Sequence, residues 1–210
     1  MEQYYQFISM LLLAYLIGSI PTGYIIGKIR GVDITKVGSG NIGMANVFRT
    51  LGPQYGIIVL IIDTLKGFIP TFISIKLQFP ILFVLLTGIT AILGHIFTVF
   101  LNFKGGKGVA TSLGVILAIS PIIAISSLFV WLITVITTRY SSLGSIFASI
   151  SALLIVILYQ TNLININLLN VEIPDKTYLT IFTSVLCLFI IYKHRDNIKR
   201  IVEGKENKLF

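Results

Sequence analysis

Four polar stretches in this sequence carry residue types able to grip a charged group. The first, GSGNIGMANVFR at residues 38–49, sets Ser39, Asn41, Asn46 and Arg49 among Gly38, Gly40 and Gly43. Glycine permits positive φ and close backbone approach, so successive N–H groups can form an anion-binding nest. The planar guanidinium of Arg49 adds a fork that fits phosphate. A glycine-rich turn with a topogenic arginine accounts for the same residues without a ligand. The second, GHIFTVFLNFKGGKGVATSLG at 94–114, places Lys104, Gly105, Gly106, Lys107 and Gly108 directly before a short helix expected from Val109. Thr111 and Ser112 fall in its first turn. A helix N-terminus behind glycines and two lysines is a phosphate site; lysines that merely anchor a helix end at the headgroups do not need three glycines. The spacing G-x-x-x-x-G-K-[ST] of a nucleotide P-loop is absent.

The third stretch, TTRYSSLGS at 137–145, puts Ser141 and Ser142 at a helix start behind Arg139. Such serines commonly act as N-caps, and a lone arginine is often topogenic. The fourth, YKHRDNIKRIVEGKENK at 192–208, sets His194 and Asn197 three apart, hence on one face of a continuing helix, with Arg195 and Lys199 on another. A basic tail resting on anionic lipid explains the lysines and arginines but does not require His-x-x-Asn.

The elements that must position these groups are membrane helices. Of 210 residues, 55% are hydrophobic and 11% charged, against about 25% charged in an ordinary soluble domain. Mean hydropathy is +0.94. This excludes a soluble globular protein and predicts one transmembrane domain over residues 1–210. Apolar runs cover residues 7–29, 55–75, 79–101, 121–137, 143–159 and 178–192. A seventh run, 109–119, spans about 17 Å at 1.5 Å per residue and cannot cross a ~30 Å core alone. MEQYYQF carries Glu2 and no basic cluster, and the apolar run after it exceeds a signal-peptide core, which predicts a retained helix.

Every Lys and Arg except Lys66, Lys76 and Lys176 falls into the four polar stretches or the loops around them. The positive-inside rule places these on the cytoplasmic face. Two crossings must then separate Lys107 from Arg139, and the breaker Ser120-Pro121 lies between them. The expected fold is an all-α, seven-helix transmembrane bundle with one short helix, the N-terminus outside and the C-terminus cytoplasmic. Five or six full crossings with a re-entrant 109–119 is the alternative. The Asn- and Ile-rich segment 153–178 is expected outside as a short structured loop. Asp63 and Lys66, at i and i+3 within a span, form an expected structural pair, and His95 an expected structural donor. Cys187 stands alone in an apolar run, so no disulfide or Cys-x-x-Cys metal pattern exists.

Together the motifs GSIPTGY (18–24), SGNIGMANVFR (39–49), DTLKG (63–67), GHIFTVFLNFKGGKGVAT (94–111), RYSSLGS (139–145) and HRDNIKR (194–200) resemble the bacterial acyl-phosphate:glycerol-3-phosphate acyltransferases, the PlsY family, nearly end to end. Met44-Ala45 replaces an Ala-Thr pair usual there, and Thr98 stands where Pro often follows G-H-x-F. The resemblance implies an inner-membrane enzyme, active on the cytoplasmic side, that moves a fatty acyl group from acyl phosphate to the 1-hydroxyl of glycerol 3-phosphate. Lysophosphatidic acid and phosphate are the products. No cofactor, metal, acyl-CoA or acyl-carrier protein is implied.

The resemblance also assigns residues. Ser39, Asn41, Asn46, Arg49, Lys107, Ser142, His194 and Asn197 would hold glycerol 3-phosphate, and Lys104, Gly105, Gly106, Lys107, Gly108 and Thr111 the acyl phosphate. His194, Lys107 and Ser142 are the catalytic candidates; Asp63, Lys66, His95 and Arg139 are structural. The expected partners are the two substrates and membrane lipid, with no nucleic acid, in a monomer functionally coupled to a soluble acyl-phosphate synthase. A small organophosphate or anion transporter is the alternative, but internal symmetry and a line of ionisable residues through the spans are missing. A lipid-binding scaffold is a third.

Overall fold

The computed structural model describes residues 2–165 and 176–210, and among these every regular element is helical. The α-helices are α1 (Glu2–Ser19), α2 (Thr22–Ile29), α3 (Met44–Leu51), α4 (Pro53–Lys76), α5 (Ile81–Ile96), α6 (Val109–Ile119), α7 (Pro121–Thr138), α8 (Ser141–Gln160), α9 (Thr177–Lys193) and α10 (Arg195–Val202). Short 3₁₀ turns lie at Ile34–Lys36 and Val99–Leu101. Among the described residues, five stretches are long and apolar enough to cross a membrane: Tyr4–Ile29, Pro53–Lys76, Ile81–Leu101, Pro121–Thr138 and Ser141–Gln160. The pair α9 and α10 makes a sixth if it is taken as one span. The short run expected at 109–119 is the 11-residue helix α6. Of the segment expected as an outer loop, 153–178, residues 153–160 are instead the end of α8 and 177–178 the start of α9, because their apolar run continues the helices, and residues 166–175 lie outside the described residues.

Two expected helices are broken. The run 7–29 divides at Ile20-Pro21 because proline cannot donate to the helix ladder. The carbonyls of Ser19 and Ile20 freed there accept from Thr98 Oγ1 and the Lys66 ammonium. The tail helix does not continue either: α10 turns by 52° from α9, with His194 as the joint.

Contacts group the chain into two compact units, Met1–Val115 and Ile116–Phe210. In the first, α5 packs on α1 and α4, and α3 on α4. Reciprocal glycines set the closest crossings. A Cβ at Gly18 would come within 3.0 Å of the Ala91 carbonyl, and one at Gly94 within 3.0 Å of the Tyr15 carbonyl, locking α1 to α5. Gly67 against Thr111 and Gly114 against Thr64 do the same for α4 and α6. Where lipid replaces water the hydrophobic effect does not drive helices together, and small residues that let backbones touch supply dispersion contact instead. In the second unit, α8 packs on both α7 and α9, and α10 continues from α9.

Apolar side chains face outward on the long helices, as at Leu12, Ile61, Phe129 and Leu188. Buried hydroxyls such as Thr71, Ser127 and Thr183 donate to carbonyls of their own helices. A water-soluble core has the opposite polarity; this one suits hydrocarbon surroundings.

Candidate active site

The loop before α3 is built by one amide. Asn46, 1% exposed, accepts from the Ser39 N–H at 2.9 Å and donates from Nδ2 to the carbonyls of Ile34 (3.2 Å) and Val37 (3.0 Å). Both amide protons and the oxygen are thereby engaged, so Asn46 shapes the loop and reaches a ligand only through Ser39. Gly38 (φ 59°) and Gly40 (φ 70°) make the left-handed bends. Asn41 Oδ1 accepts from the Gly43 N–H at 2.9 Å, closing an Asx turn ahead of α3. Ile34, Val47 and Val59 pack beneath. What the frame presents is a pair: Arg49 Nη2 donates to Ser39 Oγ at 3.4 Å. Nearby, a hydrogen bond from Thr35, partly opposed by desolvation and aided by Lys28 and Lys36, holds the Asp33 carboxyl below its ordinary value.

The glycine loop before α6 lies on the end of α5. Asn102 (φ 50°) and Phe103 (φ 61°) reverse the chain, after which Gly105 N–H donates to the Ile96 carbonyl at 2.9 Å and Gly106 N–H to the His95 carbonyl at 3.1 Å. A Cβ at Gly105 would overlap the His95 carbonyl. These two amides dock the loop on the end of α5. Gly108 (φ 82°) turns into α6, and its carbonyl accepts from Ser112 N–H and Oγ at 2.8 and 2.7 Å. Thr111 Oγ1, in the first turn, is fully buried without a hydrogen-bond partner. Lys104 is exposed and Lys107 half-buried.

In the second unit, Ser142 and Asn197 converge, but on a side chain that spacing did not single out. Glu206 Oε1 accepts from Ser142 Oγ at 2.9 Å and Asn197 Nδ2 at 2.6 Å, and Oε2 accepts from Arg200 Nε at 2.7 Å. Burial pushes the Glu206 carboxyl up, but hydrogen bonds from Asn197, Arg200 and Ser142 together with the Arg200 charge outweigh it and hold the carboxyl below its ordinary value. Leu209 N–H donates to the Arg139 carbonyl at 2.7 Å, pinning the tail to the α7–α8 junction, where Arg139 (φ 65°) caps α7. The legible signal was Arg200 three residues beyond Asn197 on one helical face, calling for an acid. His194, 3% exposed, has Nδ1 2.8 Å from the Ile190 carbonyl. A carbonyl only accepts, so the proton sits on Nδ1.

Deep in the first unit, the Lys66 ammonium donates to Asp63 Oδ1 as well as to Ile20, and His95 Nδ1 lies 3.9 Å from the same carboxylate oxygen. The pair answers the desolvation cost of each charge.

Long apolar helices with serine, arginine, lysine, histidine and asparagine gathered at their loops and ends define a polytopic membrane protein equipped for anions. The family described as Glycerol-3-phosphate acyltransferase matches residues 8–204. Relatives named glycerol-3-phosphate acyltransferase include those of Geotalea daltonii, 46% identical over 95% of this chain and 96% of the relative, and Aquifex aeolicus, 44% over 95% and 97%. That of Bacillus subtilis is 41% identical over 95% and 96%. The fold is similar to the crystal structure of PlsY, an integral membrane glycerol 3-phosphate acyltransferase, in its glycerol 3-phosphate form. The TM-score is 0.86 at 42% identity, covering 97% of this chain and 95% of that one. The lysophosphatidic acid form of PlsY gives 0.83 at 41% identity, with the same coverage. The chain belongs to the glycerol-3-phosphate acyltransferase family. It is an integral membrane acyltransferase.

Proposed function

We propose that this chain, as a single domain over residues 1–210, transfers a fatty acyl group from acyl phosphate to the 1-hydroxyl of glycerol 3-phosphate, releasing lysophosphatidic acid and inorganic phosphate. The observation that carries this is the end-to-end likeness to a family and to PlsY structures named for glycerol 3-phosphate and lysophosphatidic acid. The donor rests on local chemistry. A loop with Lys104 and Lys107 leading into a helix N-terminus suits a phosphate ester on an acyl group. Ser39, Arg49, Lys107, Ser142, His194 and Asn197 hold glycerol 3-phosphate. Asn41 and Asn46 keep Ser39 and Arg49 in place. Lys104, Lys107 and the start of α6 through Thr111 hold acyl phosphate, with Gly105 and Gly106 docking and shaping the loop beneath them, and the chain's apolar helix faces receive its tail.

Acyl phosphate is already activated, so positioning and charge stabilisation suffice. The hydroxyl oxygen attacks the acyl carbon and the carbon–oxygen bond to phosphate breaks. Phosphate departs with the electron pair, beside Lys107. The phosphate of glycerol 3-phosphate takes the hydroxyl proton. A general-base role for His194, through Nε2, makes a different kinetic prediction, given below. The enzyme sits in the bacterial inner membrane with α6 as the short seventh segment, N-terminus outside, C-terminus and catalytic loops cytoplasmic. It works as a monomer on acyl phosphate from a soluble synthase. Phosphate release from palmitoyl phosphate by purified protein tests this reading: it should require glycerol 3-phosphate.

A further inference from the structure

The mechanism makes no use of the three titratable groups buried in the first unit. Asp63, Lys66 and His95 are 2%, 3% and 5% exposed. Lys66 and Asp63 already neutralise each other, and Lys66 also serves the carbonyl freed at Pro21, which accounts for that pair without a third partner. The imidazole remains to be explained, and its two ends face different things. Nδ1 lies 3.9 Å from Asp63 Oδ1. Nε2 lies under Gly106, where a Cβ would come closer than 3.0 Å to it and to 3.1 Å from Cδ2 and Cε1. Gly106 is not among the positive-φ glycines, so its backbone would accept alanine; it is the ring that excludes one. The His95 carbonyl meanwhile accepts the Gly106 N–H at 3.1 Å. Ring and backbone of one residue thus support the residue immediately before Lys107.

We propose that His95 is a positioning residue for the donor site: with Asp63 beside one edge, its imidazole is the platform that sets the height of Gly106 and hence of Lys107 and the start of α6. This rests on the assignment of that loop to acyl phosphate. The Asp63 carboxylate lies 3.9 Å from Nδ1, against the edge of the ring opposite Gly106, in the manner of an outer neighbour that positions a functional group. Displacing a binding loop by about an ångström costs on the order of a hundredfold in rate. Losing only the platform, with both docking hydrogen bonds kept, should cost about tenfold.

The test is a double-mutant cycle in purified enzyme, with KM for acyl phosphate and for glycerol 3-phosphate measured separately. His95→Ala should raise KM for palmitoyl phosphate about tenfold and KM for glycerol 3-phosphate, which shares only Lys107 with this loop, by a smaller factor of about three. His95→Gln, which keeps a long polar side chain, should recover most of the loss. Gly106→Ala should be worse than His95→Ala, and the double variant better than Gly106→Ala, because deleting the ring makes room for the new methyl. If His95→Ala is not recovered folded, His95→Gln with Gly106→Ala carries the same cycle. Unchanged donor KM in His95→Ala, equal rises in both KM values, or strictly additive effects would overturn the proposal. A wild-type enzyme that releases no phosphate from palmitoyl phosphate would instead overturn the donor assignment beneath it.

Discussion

Replacing Glu206 by glutamine changes one oxygen into an NH2 and should loosen half of the proposed acceptor site. The side chain is 4% exposed and receives three hydrogen bonds, two on Oε1 from Ser142 and Asn197 and one on Oε2 from Arg200. Glutamine can keep its oxygen toward Ser142 and Asn197, but then its NH2 meets Arg200 Nε, donor against donor. A hydrogen bond to a charged group contributes about 1.5–3 kcal/mol and a neutral one about 0.5–1.5. Losing the Arg200 bond and downgrading the other two therefore costs about 3–5 kcal/mol. Arg200 is 36% exposed, so screening brings the expectation to about 2–4 kcal/mol. For a chain of this size that lowers the melting temperature by roughly 5–15 °C. Ser142 and Asn197 lose their common anchor, so KM for glycerol 3-phosphate should rise about tenfold. The assay is a melting curve in detergent with steady-state kinetics alongside. A Glu206→Gln protein with wild-type melting and wild-type KM would refute the argument. The pH dependence has a definite sign. The carboxyl is held below its ordinary value of 4.5, so its stabilisation is complete above that value and disappears as pH falls through the lower folded-state value. The melting difference between wild type and Glu206→Gln should stay constant near neutrality and shrink only on acidification below 4.5.

Asn46→Ala leaves the Ile34 carbonyl and the Ser39 N–H without these partners and the Val37 carbonyl with the Gly40 N–H alone, and should cost about 2 kcal/mol by thermal melting, with kcat/KM falling as Ser39 and Arg49 lose their frame; wild-type stability would contradict the loop's construction. Gly114→Ala drives a methyl into the Thr64 carbonyl, backbone that cannot step aside, and should yield aggregated protein on size exclusion, whereas a monodisperse, normally melting variant would disprove so close a crossing of α4 and α6. His194→Ala should raise KM for glycerol 3-phosphate about tenfold with kcat within a few fold, while a kcat loss of about a hundredfold at unchanged KM would make it the general base.

The spans were legible because hydrophobic run length is a strong signal: α6 occupies the apolar run between Gly108 and the Ser120-Pro121 breaker. The breaks were less so. Pro21 lies inside an otherwise continuous apolar run, and the carbonyls freed at the break are satisfied by Lys66 and Thr98, residues 46 and 79 positions away that no local pattern connects. Among the candidate site residues, type and spacing found the loops but not the work done within them. Asn46 has the chemistry of a ligand-binding amide, and only the partners at both its ends reveal that it is a strut. Glu206 stands in a basic tail with no local mark of its role, because its partners, Ser142 at one helix start and Asn197 with Arg200 on another, come together through tertiary structure alone. Glycine at 106 suggested a flexible phosphate cradle; its physical requirement is room for the imidazole of His95.

The most direct test of the central claim is phosphate release by purified protein given palmitoyl phosphate, with and without glycerol 3-phosphate, for wild type and Lys107→Ala. The account predicts release that needs both substrates and is lost in Lys107→Ala. Acyl transfer only from acyl-CoA, read as free CoA thiol, phosphate release indifferent to glycerol 3-phosphate, or a fully active Lys107→Ala enzyme would contradict it.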